Sequence, residues 1–397
     1  MDWSNPTKTE DGKLDIPGTW LFLHYYDALT VLFRIENALR LFVYIVLKER
    51  FGPKWRDLDI ASDEQGNTTI AALAKRRIEQ TKTFGYLTYP IQSPLMHLTS
   101  GELIGLILHD SYWPIFKEYF RAARSVVTLK LQEIGAVRNA LAHFRPVSAN
   151  DVGVVKLNAR QMLEEVERTL IEVISCADTV PTNTEDPWYK DLRTLTSDNL
   201  TVGFSQSRDE LWSRLTLCYK SAQVSEISFP PGNYLWRRVT TVSTPAMLEA
   251  QEALKNHVLF ATERSCRLKV EDDSSLNAEK EVALTFSRRT LSENYEEIRY
   301  CLERILGQIA EETNLLCEDQ LARGGLVSVV TVTAERKKYG ENRCWWDIPD
   351  APLRSASPAS ELPEYWGEIS GRRDFISDTE DYPWMPVKIC EGFVPPF

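Results

Sequence analysis

Histidine is scarce in this chain: His24, His97, His109, His143 and His257 are all there are in 397 residues. None falls in an HxxxH or HExxH spacing and none is paired with a cysteine, so the sequence carries no zinc signature. Seven cysteines are spread widely, their number is odd, and no CxxC occurs. That pattern excludes a disulfide framework or a zinc ribbon and reads as reduced, cytoplasmic thiols. No stretch follows the GxxxxGK[ST] phosphate loop. No uninterrupted apolar run approaches the ~18 residues that suggest a membrane helix. The start, Met1-Asp2-Trp3-Ser4-Asn5-Pro6, lacks the basic then apolar order of a signal peptide. There is no internal repeat and no low-complexity tract. The expectation is a chain without metal or cofactor and without a membrane, whose chemistry comes from its own side chains.

What is present is a folded, globular composition: 43% apolar, 10% aromatic, with 11 Trp. The length suffices for two domains, or three. Charge is uneven. Up to Arg145 there are 16 acidic and 18 basic residues, whereas the whole chain is at −11. The N-terminal part can approach a polyanion; the C-terminal part as a whole would repel one.

Apolar spacing predicts helices over Trp20–Arg50, Thr69–Thr81, Leu103–His109, Ile115–His143 with one break, and a last one ending near Cys176. Glu36 and Arg40 form an i,i+4 pair on the first helix, which Phe51-Gly52-Pro53 should end. Thr99-Ser100-Gly101-Glu102 reads as a capping box, and Ser148, Asn150 or Asp151 as the cap of the last helix. Leu131, Ile134, Val137 and Leu141 should form the buried stripe of the fourth. Ala177–Lys190 is rich in Pro, Thr and acid and reads as a linker. Beyond it, short β-rich runs alternate with helices expected at Arg208–Lys220, Pro245–Asn256 and Ser292–Glu318. The last 50 residues read as an irregular tail. The fold class is therefore α+β: an all-α helical half over 1–178, a linker over 179–191, and an α+β domain over 192–397 with an antiparallel or mixed sheet.

The most informative stretch is Val137-Arg138-Asn139-Ala140-Leu141-Ala142-His143-Phe144-Arg145-Pro146. Arg is a permanent cation that clamps a phosphate bidentately. His is the side chain best suited to moving a proton near neutral pH. Together they supply what RNA backbone cleavage needs, although with 29 Arg and 5 His the spacing alone proves little. Each residue also has a plainer reading. His143 can cap a helix end, Arg138 can pair with Glu133 or Glu36, and Asn139 can bond backbone.

In context the stretch resembles the HEPN superfamily, most closely the HEPN domains of abortive-infection toxins and defence proteins. The resemblance covers roughly residues 15–178. It rests on Arg34-Ile35-Glu36-Asn37-Ala38-Leu39-Arg40 running into Phe51-Gly52-Pro53-Lys54-Trp55, on Gly85-Tyr86-Leu87-Thr88-Tyr89, on Tyr112-Trp113-Pro114-Ile115-Phe116-Lys117, and on Leu131 through His143. Arg138, Asn139 and His143 match the family's ribonuclease signature position by position. The resemblance implies a helical nuclease domain that cuts RNA (tRNA or another cellular RNA) without a metal, by 2′-OH attack. It also implies a homodimer in which two Arg138/His143 pairs face each other. Glu36 and Arg40 would support the site. Arg121, Arg124, Lys130 and Arg145 are candidates for a phosphate path, or for a solvated helix face. A non-cleaving module that binds RNA or a protein is the alternative.

The second domain carries no comparable motif. Arg323-Gly324-Gly325, Arg336-Lys337-Lys338 and Trp345-Trp346 are turn, charge and aromatic features without a spacing that names a ligand. Its expected role is control of the nuclease, through an activating ligand or a phage protein.

Overall fold

The computed structural model describes residues 7–8, 10–11, 14–15, 25–63, 66–82, 94–176, 179–196, 200–221, 223–227, 234–242, 244–272, 275–317, 327–339 and 343–347. Gly85–Tyr89, Arg323-Gly324-Gly325 and the expected tail lie outside the described residues. The fold is α+β, with helices concentrated early and antiparallel sheets late. The chain divides into two compact units. The first takes the described residues up to Val43 and Leu98–Leu170; the second takes Tyr44–His97 and the described residues from Ile171 onward. This division does not follow the expected 178/192 boundaries.

In the first unit, β1 (Thr7–Lys8) pairs with β2 (Leu14–Asp15). Helix α1 (Tyr25–Phe51) starts here and contributes its later turns to the second unit. Its apolar residues Val31, Leu32, Ile35, Leu39 and Phe42 are buried at three- and four-residue steps. Phe42 meets the rings of Phe116, Tyr119 and Phe120 at centroid distances of 5.6, 5.0 and 6.3 Å. Helix α3 (Ser100–Ile107) begins at the expected Thr99/Glu102 capping box. The short α4 (Trp113–Phe116) and a 3-10 turn form the break before α5 (Arg124–Ala142). The core face of α5 is Val127, Leu131, Ile134 and Leu141, with Val137 only half-buried.

Helices α6 (Ala149–Met162) and α7 (Glu164–Ser175) follow, so the expected last helix is two. Ser148 caps α6 in a capping box with Asp151. The Ser148 backbone N–H, then its hydroxyl, hold the Asp151 carboxyl below the usual range. Ser148→Ala should therefore cost about 1 kcal/mol in denaturant unfolding at neutral pH. Because the folded-state value is depressed, the Asp151 contribution is present above the unfolded value. It is lost as pH falls through the folded one. The gap between variant and wild type should shrink in acid; an unchanged gap would refute the shared cap.

The early half is not all helical. β3 (Asp59–Asp63) and β4 (Gly66–Thr69) form an antiparallel hairpin in the second unit, where β-branched Thr68 and Thr69 favour extended backbone. Helix α2 (Ile70–Lys82) follows directly and buries Ile70 and Leu73. Part of the expected linker is also structured. Pro187 starts α8 (Pro187–Arg193), and Trp188, 1% exposed, and Leu192 enter the core of the second unit at an i,i+4 step.

One sheet of the second unit runs β5–β6–β10–β9, built from Leu200–Gln206, Trp212–Ser221, Ser275–Ser287 and Phe260–Asp272. The other runs β12–β11–β8–β7, built from Arg343–Asp347, Val327–Tyr339, Tyr234–Val242 and Gln223–Ile227. All pairings are antiparallel. The helix expected at Arg208–Lys220 is strand β6. Leu215, Leu217 and Tyr219 enter the core at two-residue steps, the period of a strand. The helix expected at Pro245–Asn256 is interrupted at Gln251 into α9 (Thr244–Ala250) and α10 (Glu252–His257). The long α11 (Arg288–Cys317) completes the described helices and packs Leu291, Ile298, Leu302 and Ile305 into the same core. Buried Lys48 donates to the carbonyls of Lys255 (2.9 Å) and Val258 and so caps α10. No helix among the described residues is long and apolar enough to cross a membrane.

Candidate functional site at the end of helix α5

The stretch singled out in the sequence spans the last turns of α5 and its exit. His143 is the C-cap residue, with φ −99° and ψ 15°, and its backbone N–H donates to the Asn139 carbonyl at 3.1 Å. The N–H of Phe144 donates to Leu141 O (3.0 Å) and that of Arg145 to Ala140 O (2.8 Å). This nested pair is the Schellman motif, which needs left-handed backbone at Phe144. Phe144 has φ +54° there. His143, Phe144, Arg145 and Pro146 are all exposed, and Val147 returns to the core. Among the described residues the side chains of Asn139, His143 and Arg145 have no hydrogen-bond or ion-pair partner. His143 is thus the cap by its backbone, not its ring.

Arg138 lies on the last full turns of α5 and reaches α1. Its Nε donates to Glu36 Oε2 at 3.3 Å. Of the two carboxylates weighed for it, Glu36 is the partner. Glu133 instead accepts from Lys130 (3.1 Å) and Asn158 (2.6 Å), and the Asn158 bond above all holds its carboxyl below the usual range. Glu36 is a hub. It also binds Arg40 one turn along and accepts from the Ser100 hydroxyl. Arg40 is buried and donates further to Asn37 Oδ1 and Leu98 O, both at 3.1 Å. Burial lowers the Arg40 pKa, and Glu36 opposes that shift. One carboxylate thus faces two guanidinium groups, leaving local positive charge. The Arg138 side chain is 32% exposed, and its two terminal nitrogens have no partner among the described residues.

The other cations expected along a phosphate path are arranged differently. Arg121 is bound by Glu164 (2.9 Å) and Glu165 (2.8 Å). Arg124 is bound by Asp110 (2.6 Å) and the Leu108 carbonyl. Lys130 is bound by Glu133. Arg124 begins α5 and His143 follows its end, so at 1.5 Å per residue the two are roughly 28 Å apart along the axis. The structure brings Glu36, Arg40, Ser100 and Arg138 together, with Asn139, His143 and Arg145 at the adjoining helix end. It places Arg121 and Arg124 at the far end, paired with carboxylates. Sequence reasoning missed Ser100 as a donor to Glu36, although its place in the capping segment put it at a helix start. It also missed the left-handed Phe144, for which no glycine or asparagine gave notice.

No group of His, Cys, Asp or Glu among the described residues is arranged to hold a metal ion. Burial pushes the Cys301 thiol up, away from the reactive thiolate form. No family model, curated protein or solved structure matches the chain.

Proposed function

We propose that the first unit is an RNA endonuclease of the HEPN kind, and that Arg138, Asn139 and His143 are its reacting group. The observation that carries this reading is the way Arg138 is held. Glu36 takes only Nε, so the guanidinium is oriented while both terminal nitrogens stay available to a phosphate. An exposed imidazole stands at the end of the same helix.

In the reaction, the RNA 2′-OH attacks the adjacent phosphorus and the P–O5′ bond breaks. The products are a 2′,3′-cyclic phosphate and a 5′-OH. His143 moves the proton, as base from the 2′-OH or as acid to the departing O5′. Arg138 stabilises the charge that gathers on the non-bridging oxygens. Asn139 hydrogen-bonds the phosphate or orients His143. DNA lacks the 2′-OH and is not cut by this route.

Five helical positions correspond to a rotation of about 140°, so Arg138 and His143 of one chain do not converge on one phosphate. A homodimer joining the two helix ends supplies the second proton-transfer and phosphate-binding groups. Such an enzyme fits a cytoplasmic toxin or abortive-infection effector acting on tRNA or other cellular RNA. The second unit would govern when it acts, through a ligand or a phage protein.

The test is incubation of the full chain with total RNA and with tRNA in EDTA, beside His143→Ala and Arg138→Ala. Products with cyclic-phosphate ends that disappear in both variants are expected. Cleavage that survives both substitutions, needs a metal, or leaves 3′-OH ends would overturn the reading.

A further inference from the structure

We propose that Ser100 is a positioning residue of the cleavage site: its hydroxyl holds one oxygen of Glu36 toward Arg138 and so aims the guanidinium that meets the phosphate. The inference rests on the ribonuclease reading and adds a residue to its machinery. It begins with a redundancy. Thr99 and Ser100 stand side by side where one hydroxyl suffices to cap α3. Thr99 does the capping. Its Oγ1 accepts from the Glu102 N–H at 3.3 Å, and its own N–H and hydroxyl donate to Glu102 Oε2 at 2.7 and 2.9 Å. The Ser100 hydroxyl takes no part in that box and donates instead to Glu36, 64 positions earlier.

The two oxygens of Glu36 are divided among three donors. Oε1 accepts from Arg40, and Oε2 accepts from both Ser100 and Arg138 Nε. The last torsion of a glutamate side chain is broad, so a carboxylate held by one oxygen can turn. A guanidinium can also take both oxygens of a carboxylate, which makes Arg40 a competitor of Arg138 for Oε2. Ser100 holds that oxygen on the Arg138 side. The Arg138 bond is long, at 3.3 Å, and a weak bond is the first to go when its acceptor turns. Ser100 is the first residue of α3, so the positive end of that helix adds to the pull on Glu36. The Glu36 side chain is 14% exposed, so water replaces a missing bond there poorly. With Oε2 turned away, Arg138 keeps its charge but loses the direction of its terminal nitrogens. The loss then falls on the rate of reaction more than on the capture of RNA.

The test is single-turnover cleavage of total RNA by the full chain in EDTA, read as cyclic-phosphate ends formed over time. Ser100→Ala should lower the rate at saturating enzyme about tenfold, as for one hydrogen bond to a charged group. The enzyme concentration giving half the maximal rate should stay within about twofold of wild type. Ser100→Thr keeps the hydroxyl and should restore the rate. Added to Arg138→Ala, Ser100→Ala should cause no further loss, because the group it acts through is already gone. A wild-type rate in Ser100→Ala overturns the inference and leaves the nuclease reading standing. An equal loss with and without Arg138 also overturns it, in favour of a structural role for Ser100. A wild type that yields no cyclic ends overturns the nuclease reading and this inference with it.

Discussion

Glu36→Ala should destabilise the first unit by about 3 kcal/mol, the low end for breaking a buried ion pair. The substitution takes the Glu36 carboxylate away from buried Arg40 and removes the acceptor that Ser100 and Arg138 share. The loss stays at the low end because Arg40 keeps its bonds to Asn37 and Leu98. Glu36→Gln keeps the shape and one acceptor oxygen, so its cost should be smaller. Replacing Glu36 and Arg40 together by methionine removes both charges and should recover most of the stability lost in Glu36→Ala. Denaturant unfolding of the three variants closes the comparison. A loss below about 1 kcal/mol in Glu36→Ala would show that Glu36 does little to stabilise the buried Arg40.

The double methionine variant also separates the two duties of Glu36. It restores the packing but not the acceptor for Arg138 Nε. If Glu36 is a positioning residue, this variant should fold well and still cleave poorly, with kcat affected more than KM. A merely structural Glu36 would let activity return together with stability.

Much of this region could be read from local pattern. The three- and four-residue steps of α1 and α5, the caps at Thr99 and Ser148, and the Glu36–Arg40 pair all depend on neighbours within one turn. What could not be read are choices between distant partners. Arg138 had Glu133 and Glu36 as candidates, and the outcome was decided by Lys130 and Asn158 occupying Glu133. Arg121 looked like an open cation because its carboxylates lie more than 40 positions away. Strand β6 was misread because Leu215, Leu217 and Tyr219 also fit a loosely apolar helix, and only pairing on both sides by β5 and β10 settles the period. Lys48 shows the same limit from the other direction. A lysine in the last turns of a helix suggests solvent, yet here it caps a helix more than 200 residues further on.

His143→Ala should lower the rate of RNA cleavage by about 10²–10⁴-fold, the range for losing a general acid or base. Arg138→Ala should lower it by about 10²–10³-fold, as for a donor aimed at developing charge. Neither should disturb folding much, since both side chains reach solvent at the end of α5. The two inactive variants then offer a sharper test than either alone. An isologous dimer places each chain's helix end against the other's. A mixed dimer of Arg138→Ala and His143→Ala chains therefore still holds one intact Arg138 and one intact His143 in the shared cleft. Mixing the variants under conditions of subunit exchange should restore cleavage that neither shows alone. If each chain instead carried a self-sufficient site, every site in the mixture would be missing one group and the mixture would stay silent. Silence after exchange has been verified by mass would sink the shared cleft while leaving the roles of Arg138 and His143 to the single variants.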